Sequence, residues 1–202
     1  HRLLNNSYSK GVIFSCIAAI FWGLPQPLFF NELNHVKTIE VVAHRGFWSF
    51  IFLFLLLILI SNISDFIEIF KSRKRIFILT ITAFLITGNW AGFIYSVGQE
   101  RVQDASMGYF ITPMISIVLG YFFLNEKITK PKFISVCLMF SGILFLFINL
   151  NQFPFLIIWI GTSWALYGLL RKQVNVNPSI GLLYETFIIS LISIPYLVYL
   201  FL

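Results

Sequence analysis

The chain has 202 residues, of which 58% are hydrophobic, 18% are aromatic and only 11% are charged, with a net charge of +6. This small number of polar side chains cannot cover the surface of a soluble globule. The composition therefore excludes a soluble domain and indicates that lipid is the main solvent. The positive charge does not indicate nucleic-acid binding, because the basic residues are spread among short loops instead of being gathered on one soluble face.

The length of the chain sets the expected architecture. A membrane-spanning helix needs about 20 apolar residues, so a chain of this length with short connections has room for about seven. We therefore predict an all-α, polytopic membrane helical bundle in contact with the lipid bilayer. Cys16 and Cys137 lie in separate apolar stretches without ligand-like neighbours, so we expect no disulfide, no metal site and no cofactor.

The first predicted elements are a polar N-terminal tail, residues 1–10, and a span from about Gly11 to Phe30. Pro25 and Pro27 interrupt this span near its end. Because a proline inside a helix removes a backbone hydrogen bond and clashes with the preceding turn, we expect a kinked or unwound segment. Irregular backbone at membrane depth is tolerated only against protein or a water-filled cavity.

A histidine and an arginine lie inside the second predicted span, which runs from about Ile39 to Ile60. A cation in mid-bilayer costs from ~3 to more than ~10 kcal/mol, so His44 and Arg45 need an explanation. In one interpretation Arg45 lies about 9 Å inside the end of its helix and snorkels outward. In the other, Arg45 borders a polar path through the bundle.

Five further spans complete the predicted bundle. Pro113 lies in the middle of the fourth span as another candidate helix break, and Glu185 lies about six residues inside the seventh. The longest connection is Ser61 to Arg75, and Asn149 to Pro154 is predicted to be a tight turn. The approximate bounds of these spans are Ile76 to Val97, Ala105 to Leu124, Phe133 to Ile148, Phe155 to Leu170 and a start near Ser179.

The distribution of lysine and arginine predicts the orientation of the chain. The N-terminal tail and the alternate loops 61–75, 125–132 and 171–177 hold 11 of the 14 basic residues. The loops on the opposite side hold only Lys37 and Arg101. Positive residues stay in the cytoplasm, so we expect a cytoplasmic N-terminus, with the odd-numbered spans running outward.

Spans one and two are similar to spans six and seven. Trp22 is followed 23 positions later by Arg45, and Trp164 is followed 21 positions later by Glu185. Since five spans precede the second copy, it enters the membrane from the opposite side, as in the inverted repeats of many secondary transporters. We expect a first five-helix repeat over 11–149 and the start of a second repeat over 150–202.

This inversion changes how the two buried charges are interpreted. Arg45 and Glu185 would lie near opposite surfaces and about 12 Å apart in depth, so they should not form a simple ion pair. Each could line one end of a shared central pathway. The alternative for Glu185 is a carboxylate that snorkels to the surface.

Five motifs together resemble the RarD-like branch of the EamA family in the drug/metabolite transporter superfamily: HRGFWSF at His44, GNWAGFIYSV at Gly88, ASMGYFITP at Ala105, LYGLLRK at Leu166 and YET at Tyr184. The resemblance implies ten helices in two inverted five-helix halves and a permease of the bacterial inner membrane. Two features depart from this pattern, namely FLNEKI in a cytoplasmic turn and the lack of helices eight to ten. Because the chain starts without methionine and stops within an apolar run, we expect a fragment.

The side chains of the second span suit a solute pathway. Arg45 presents five donors in a planar fork that matches a carboxylate, phosphate or phenolate. His44 changes charge near neutral pH and could couple movement to protons. Trp48 lies close to the same helical face and could cover Arg45 through a cation–π contact, although a purely structural role is the simpler explanation.

Further candidates for solute contact are aromatic, amide and hydroxyl side chains beside the predicted helix breaks. Membrane helices also use such groups merely to hold neighbouring helices together, so this interpretation stays open for each of them. The set consists of Trp22, Gln26, Asn89, Trp90, Tyr95, Tyr109, Thr112, Trp164 and Tyr167.

Three classes of function compete. The repeat, the buried charges and the resemblance favour a carrier that moves a small organic solute, anionic or aromatic, by alternating access. An intramembrane enzyme is disfavoured because the sequence holds no HExxH, GxSxG or paired-aspartate motif. A non-transporting membrane partner or sensor, or an inactive fragment, is the alternative, and a homodimer is left open.

Overall fold

The computed structural model describes residues 2–60, 63–148 and 153–202, and these residues form nine helices without a strand. The predicted all-α class is confirmed. In chain order the helices are α1 (Arg2–Gly23), α2 (Pro25–Glu32), α3 (Thr38–Ile60), α4 (Ile63–Ile69), α5 (Arg73–Gly98), α6 (Val102–Leu124), α7 (Lys130–Ile148), α8 (Phe155–Lys172) and α9 (Pro178–Phe201).

The predicted break in the first span is present between α1 and α2. Leu24 separates the two helices with φ −117° and ψ −70°, and its N–H still donates to Ile20 O at 3.0 Å. Pro25 starts α2, where its missing N–H costs little because the first turn of a helix leaves that donor unpaired. The span is therefore kinked, with little unwinding. The predicted tail is also helical, because α1 begins at Arg2.

Two connections differ from the prediction or lie beyond it. The connection predicted between Ser61 and Arg75 contains the short helix α4, and α5 already begins at Arg73. Ser72 explains this early start, because its Oγ accepts a hydrogen bond from the backbone N–H of Arg75 at 3.4 Å. The predicted turn from Asn149 to Pro154 falls largely on residues 149–152, outside the described residues.

Helices α3 and α9 pack against each other in opposite directions at the centre of the bundle. Near the start of α3, Gly46 lies against Ile189 and Ser193 in the second half of α9. One turn further along α3, the ring of Phe50 lies 5.6 Å from that of Phe187. Because the contact moves towards the start of α9 as the chain moves along α3, the two helices are antiparallel.

Close packing of α8 against α5 and α6 depends on glycines. The GxxxG pair Gly88 and Gly92 of α5 leaves room for Trp159, whose indole N–H donates to Gly88 O at 2.9 Å. Gly108 of α6 and Gly161 of α8 meet in the same way, since a Cβ atom on Gly161 would lie 2.7 Å from Gly108 O. These small residues let the helix backbones approach closely.

Six stretches of the described residues are long and apolar enough to cross a membrane. They comprise the kinked first span together with α3, α5, α6, α7 and α9. The sixth predicted span, α8, is not among them, because its 18 residues include polar side chains and end in Arg171 and Lys172. The structure thus supports a polytopic helical bundle with six such stretches instead of seven.

Candidate solute pathway

A cavity of about 730 Å³ opens beside the kinked first span and the start of α3. Most of its wall is apolar or aromatic, with a few polar side chains that include Gln26 and Glu40. We call it the Arg45 cavity. Five of the predicted residues line it, namely Pro25, Gln26, His44, Arg45 and Trp48.

Aromatic rings hold Arg45, which has no carboxylate partner in the described part of the chain. Its Cζ lies 4.2 Å from the centroid of the Trp90 ring and 5.5 Å from that of Phe30. Its Nη1 atom is buried and has no hydrogen-bond partner among the described residues. A snorkelling side chain would bring its nitrogens to the surface, so the structure does not support that interpretation for Arg45.

Among the described residues the rings over Arg45 belong to Phe30 and Trp90, which fits the simpler, structural role of Trp48. The Trp48 side chain is 59% exposed and packs edge-on against Phe47, at 5.2 Å between ring centroids. The guanidinium turns towards α5 instead, where Trp90 is 7% exposed. Spacing along α3 could show that positions 45 and 48 share a face, but not that a ring from another helix would lie closer.

A second cavity, of about 490 Å³, lies between the first span, α6 and α8. Among the predicted residues Pro27, Thr112 and Pro113 line it, together with the three aromatic residues Trp22, Tyr109 and Trp164. The rings of Trp22 and Trp164 lie 5.5 Å apart in an edge-to-face contact. The two tryptophans paired by the proposed repeat therefore touch each other.

Asn89 connects three helices. Its Nδ2 donates to Ile160 O at 2.9 Å and to Ser163 Oγ at 3.0 Å, and its Oδ1 accepts from the Tyr109 hydroxyl at 2.9 Å. Because Asn89 is fully buried and these bonds use both of its polar atoms, its arrangement is that of an interhelical link.

Tyr95 is 45% exposed and lies outside both of these cavities.

Glu185 is completely buried, so the snorkelling alternative for this residue is wrong. Its Oε1 accepts a hydrogen bond from Thr82 Oγ1 at 2.7 Å, and its Oε2 accepts one from the Tyr167 hydroxyl at 3.1 Å. Its ion-pair partner is Arg171, with 3.7 Å between Nε and Oε1. As expected, Glu185 does not pair with Arg45.

Arg171 and Thr82 were not among the predicted site residues. Arg171 was counted among the charges of the loop 171–177. A signal for Arg171 was nevertheless present. A buried carboxylate needs a counter-charge, and Arg171 ends the helix that precedes α9. Arg171, Lys172 and Tyr167 line a third cavity of about 480 Å³, which we call the Arg171 cavity.

A continuous series of aromatic rings connects the two buried charges. The series begins at Phe30 beside Arg45, and each distance joins the centroids of two successive rings. These distances are 6.1 Å from Phe30 to Phe93, 6.1 Å from Phe93 to Tyr109, 6.3 Å from Tyr109 to Trp164 and 5.3 Å from Trp164 to Tyr167. Tyr167 then donates to Glu185. We call these five rings the aromatic series. Aromatic faces with scattered polar groups are typical of sites for small organic ligands.

The described residues contain no group of three histidine, cysteine, aspartate or glutamate side chains placed to hold a metal ion.

Residues 9–148, more than half of the chain, match the model of the EamA-like transporter family. The chain belongs to the EamA-like transporter family.

Several curated relatives share the family. The chain is 34% identical to Protein RarD of Escherichia coli K12 over 177 residues, which cover 88% of this chain and 60% of that protein. It is 32% identical to an uncharacterized transporter of Vibrio cholerae over 191 residues, 95% of this chain and 63% of that one. It is also 32% identical to the uncharacterized transporter YojE of Bacillus subtilis over 193 residues, which cover 94% of this chain and 64% of that protein.

These relatives show that the chain is a RarD-like member of the EamA family and of the drug/metabolite transporter superfamily. Together with the apolar helices they indicate a multi-pass bacterial membrane protein. The chain spans just under two thirds of the length of the relatives given above. No solved structure gives a significant match.

Proposed function

We propose that the protein is a permease of the bacterial inner membrane that moves a small anionic or aromatic organic solute by alternating access. The observation that carries this proposal is the environment of Arg45, a cation inside a membrane helix that borders a cavity of about 730 Å³ and keeps a buried donor unpaired. Retaining such a charge in lipid is costly unless it serves a solute or an aqueous route.

The contacts of Arg45 suit recognition of an anion. An aromatic face stabilises the flat side of a guanidinium, while the N–H donors point outward in the plane of the group. Trp90 and Phe30 therefore hold the charge without consuming the donors, and Nη1 stays free for an oxygen of the solute. The aromatic series gives a ring-bearing solute successive surfaces on which to stack.

The arrangement of α3 and α9 supports two inverted halves. Arg45 and Glu185 are each the eighth residue of their helix, since α3 begins at Thr38 and α9 at Pro178. In the antiparallel packing of these helices the two positions are offset by about seven residues, or about 10 Å of helix. We propose that they mark corresponding depths from opposite surfaces.

The family match over residues 9–148 supports the proposed first repeat over 11–149, with a second repeat beginning in 150–202. We extend this to a ten-helix, five-plus-five protein with a cytoplasmic N-terminus. The bias of lysine and arginine among the loops supports that orientation.

The test is solute flux into proteoliposomes that contain the complete gene product, with a panel of radiolabelled aromatic and aliphatic carboxylates. We expect Arg45→Gln to lower flux at least about 30-fold, because loss of a buried charged partner costs at least ~2 kcal/mol. Arg45→Lys should retain part of the flux. The matched control is Arg73→Gln, which removes an exposed arginine at the start of α5.

Unchanged flux in Arg45→Gln would overturn the role of Arg45. Absence of flux for every member of the panel, with correctly inserted protein, would favour the alternative of a membrane partner or sensor.

A further inference from the structure

The hydrogen bonds around Glu185 can be arranged for either a charged or a protonated carboxyl group. The hydroxyl of Thr82 lies 2.7 Å from Glu185 Oε1 and 3.0 Å from Leu79 O, and its one proton can serve only one of these acceptors at a time. When Thr82 donates to Leu79 O, its oxygen is free to accept a proton from the carboxyl group. The Tyr167 hydroxyl can likewise donate or accept.

The counter-charge of Glu185 is loosely attached. Arg171 Nε lies 3.7 Å from Oε1, beyond hydrogen-bond length, while Nη2 donates to Pro178 O at 3.2 Å. Nη1 is buried and has no hydrogen-bond partner among the described residues. The guanidinium lies against Gly181, where a Cβ atom would collide with it. Arg171 thus has donors to spare.

Arg171 also lines the Arg171 cavity, of about 480 Å³. The neighbouring cation in that wall, Lys172, is held 3.2 Å from the carboxylate of Glu126. The wall also contains Tyr167, a member of the aromatic series, on which a ring could stack. The cavity therefore offers an aromatic surface and an arginine fork, which match an aromatic carboxylate.

We propose that the Arg171–Glu185 pair binds one solute carboxylate and one proton together. The solute carboxylate takes the free donors of Arg171, the guanidinium leaves Glu185, and a proton from the aqueous cavity bonds to a Glu185 oxygen. The net charge of the site does not change, because one anion and one proton enter together. This inference rests on the proposed function and adds the coupling ion and a second binding position to it.

The surroundings of Glu185 explain why a proton should replace Arg171. On α5 its neighbour is the neutral Thr82, and on α8 its neighbours are Tyr167 and Arg171. The side chains that α3 and α4 contribute to the adjoining hydrophobic cluster are apolar, among them Leu57 and Ile69. Without Arg171, an ionised Glu185 would be a fully buried and unpaired charge, which is strongly disfavoured.

The test uses infrared difference spectroscopy of the purified protein in lipid nanodiscs, near neutral pH, on addition of ¹³C-carboxyl benzoate. We expect a new carbonyl band of a protonated carboxylic acid, together with uptake of one proton per protein from a weakly buffered solution. The isotope label separates this band from that of benzoate. Benzyl alcohol, which has the ring without the carboxylate, should give neither signal.

Three variants assign the signal. Glu185→Gln should bind benzoate but lose both the band and the proton uptake. Arg171→Gln should weaken benzoate binding at this site by about tenfold or more and abolish the benzoate-induced band. Arg73→Gln, which removes an exposed arginine at the start of α5, should leave the band unchanged. Arg171→Gln could also impair folding. Gly181→Ala therefore provides a second way to move the Arg171 guanidinium away from Glu185, since its methyl group displaces the guanidinium.

The proposal is overturned if a saturating concentration of benzoate causes no proton uptake, if the band persists in Glu185→Gln, or if the band persists in Arg171→Gln. These results would leave the flux through the Arg45 cavity standing. Loss of the Arg45 dependence of flux would instead overturn the proposed function without affecting the infrared band.

Discussion

Arg45 and Glu185 occupy the same position in two antiparallel helices and yet have opposite surroundings. The charge of Arg45 meets aromatic rings and an open cavity. The charge of Glu185 meets two hydroxyl groups and an arginine, and no part of its side chain is exposed. Helix α5 serves both residues, supplying Trp90 to one and Thr82 to the other.

The difference shows that the position of a charge along a helix sets its depth but not its environment. The neighbouring helices decide whether the charge is held by rings, which leave its donors free, or by hydrogen bonds and an ion pair, which satisfy it. In the proposed function, the free donors of Arg45 take a ligand from outside the chain. Glu185 already has an internal partner, Arg171, which in the further proposal leaves when a solute carboxylate binds.

The largest expected effect is loss of the internal partner of Glu185. Arg171→Gln leaves a buried carboxylate without its counter-charge and should lower the free energy of unfolding by ~3–5 kcal/mol. Arg45→Gln removes a cation that has no carboxylate partner among the described residues, so the change should stay within ~2 kcal/mol. Unfolding of both variants in mixed micelles, followed by circular dichroism, gives the comparison.

Adding Glu185→Gln to Arg171→Gln should recover most of the loss, because no unpaired charge then remains. The loss in the single variant should also be smaller at about pH 5 than at about pH 8, since a protonated Glu185 needs no counter-charge. Equal losses for Arg45→Gln and Arg171→Gln would remove the distinction between the two sites.

An intermediate effect is expected from the glycine that seats Arg171. Gly181→Ala places a methyl group where the guanidinium lies and should destabilise the protein by ~1–3 kcal/mol. The matched control is Gly142→Ala in α7, where nothing lies near the new methyl group, and it should stabilise the helix by ~0.5–1 kcal/mol. The same unfolding assay applies, and a stabilising Gly181→Ala would contradict the position of Arg171.

The smallest effect concerns the ring that holds Arg45. A double-mutant cycle between Arg45→Met and Trp90→Leu should give a coupling free energy of ~0.5–2 kcal/mol, the range of a cation–π contact. The matched cycle between Arg45→Met and Trp48→Leu should give less than ~0.5 kcal/mol, because the rings over the guanidinium are those of Trp90 and Phe30. A larger coupling to Trp48 would instead favour the cation–π contact that helical spacing allows between Trp48 and Arg45.

Much of the fold could be predicted from the sequence, because apolar runs and prolines act locally. The kink at Pro25 and the ends of most spans follow from such signals. The helix break considered at Pro113 is wrong, because α6 continues through this residue from Val102 to Leu124. The short helix α4 was missed because Asp65 and Glu68 made its segment look like a loop. Helix α8 was expected to be as apolar as the others, although its polar side chains pack inside the bundle.

The candidate site was harder to predict, because its contacts join residues that are distant in the sequence. Arg45 and Glu185 stood out as charges in apolar runs, but their neighbours could not be identified from spacing. Trp90 lies 45 positions from Arg45, and Thr82 lies 103 positions from Glu185. Those neighbours depend on how α5 packs between the other helices, which periodicity does not determine.

The central claim is that Arg45 borders an aqueous route and does not face lipid. Its most direct test is cysteine labelling with a charged, membrane-impermeant methanethiosulfonate reagent, after the exposed Cys16 and Cys137 have been replaced by serine. Ser49→Cys in the wall of the Arg45 cavity should react, and benzoate should slow the reaction. Phe52→Cys, at a position that is 67% exposed on the outside of α3, should stay unmodified. If Ser49→Cys reacts no faster than Phe52→Cys, the route beside Arg45 does not exist.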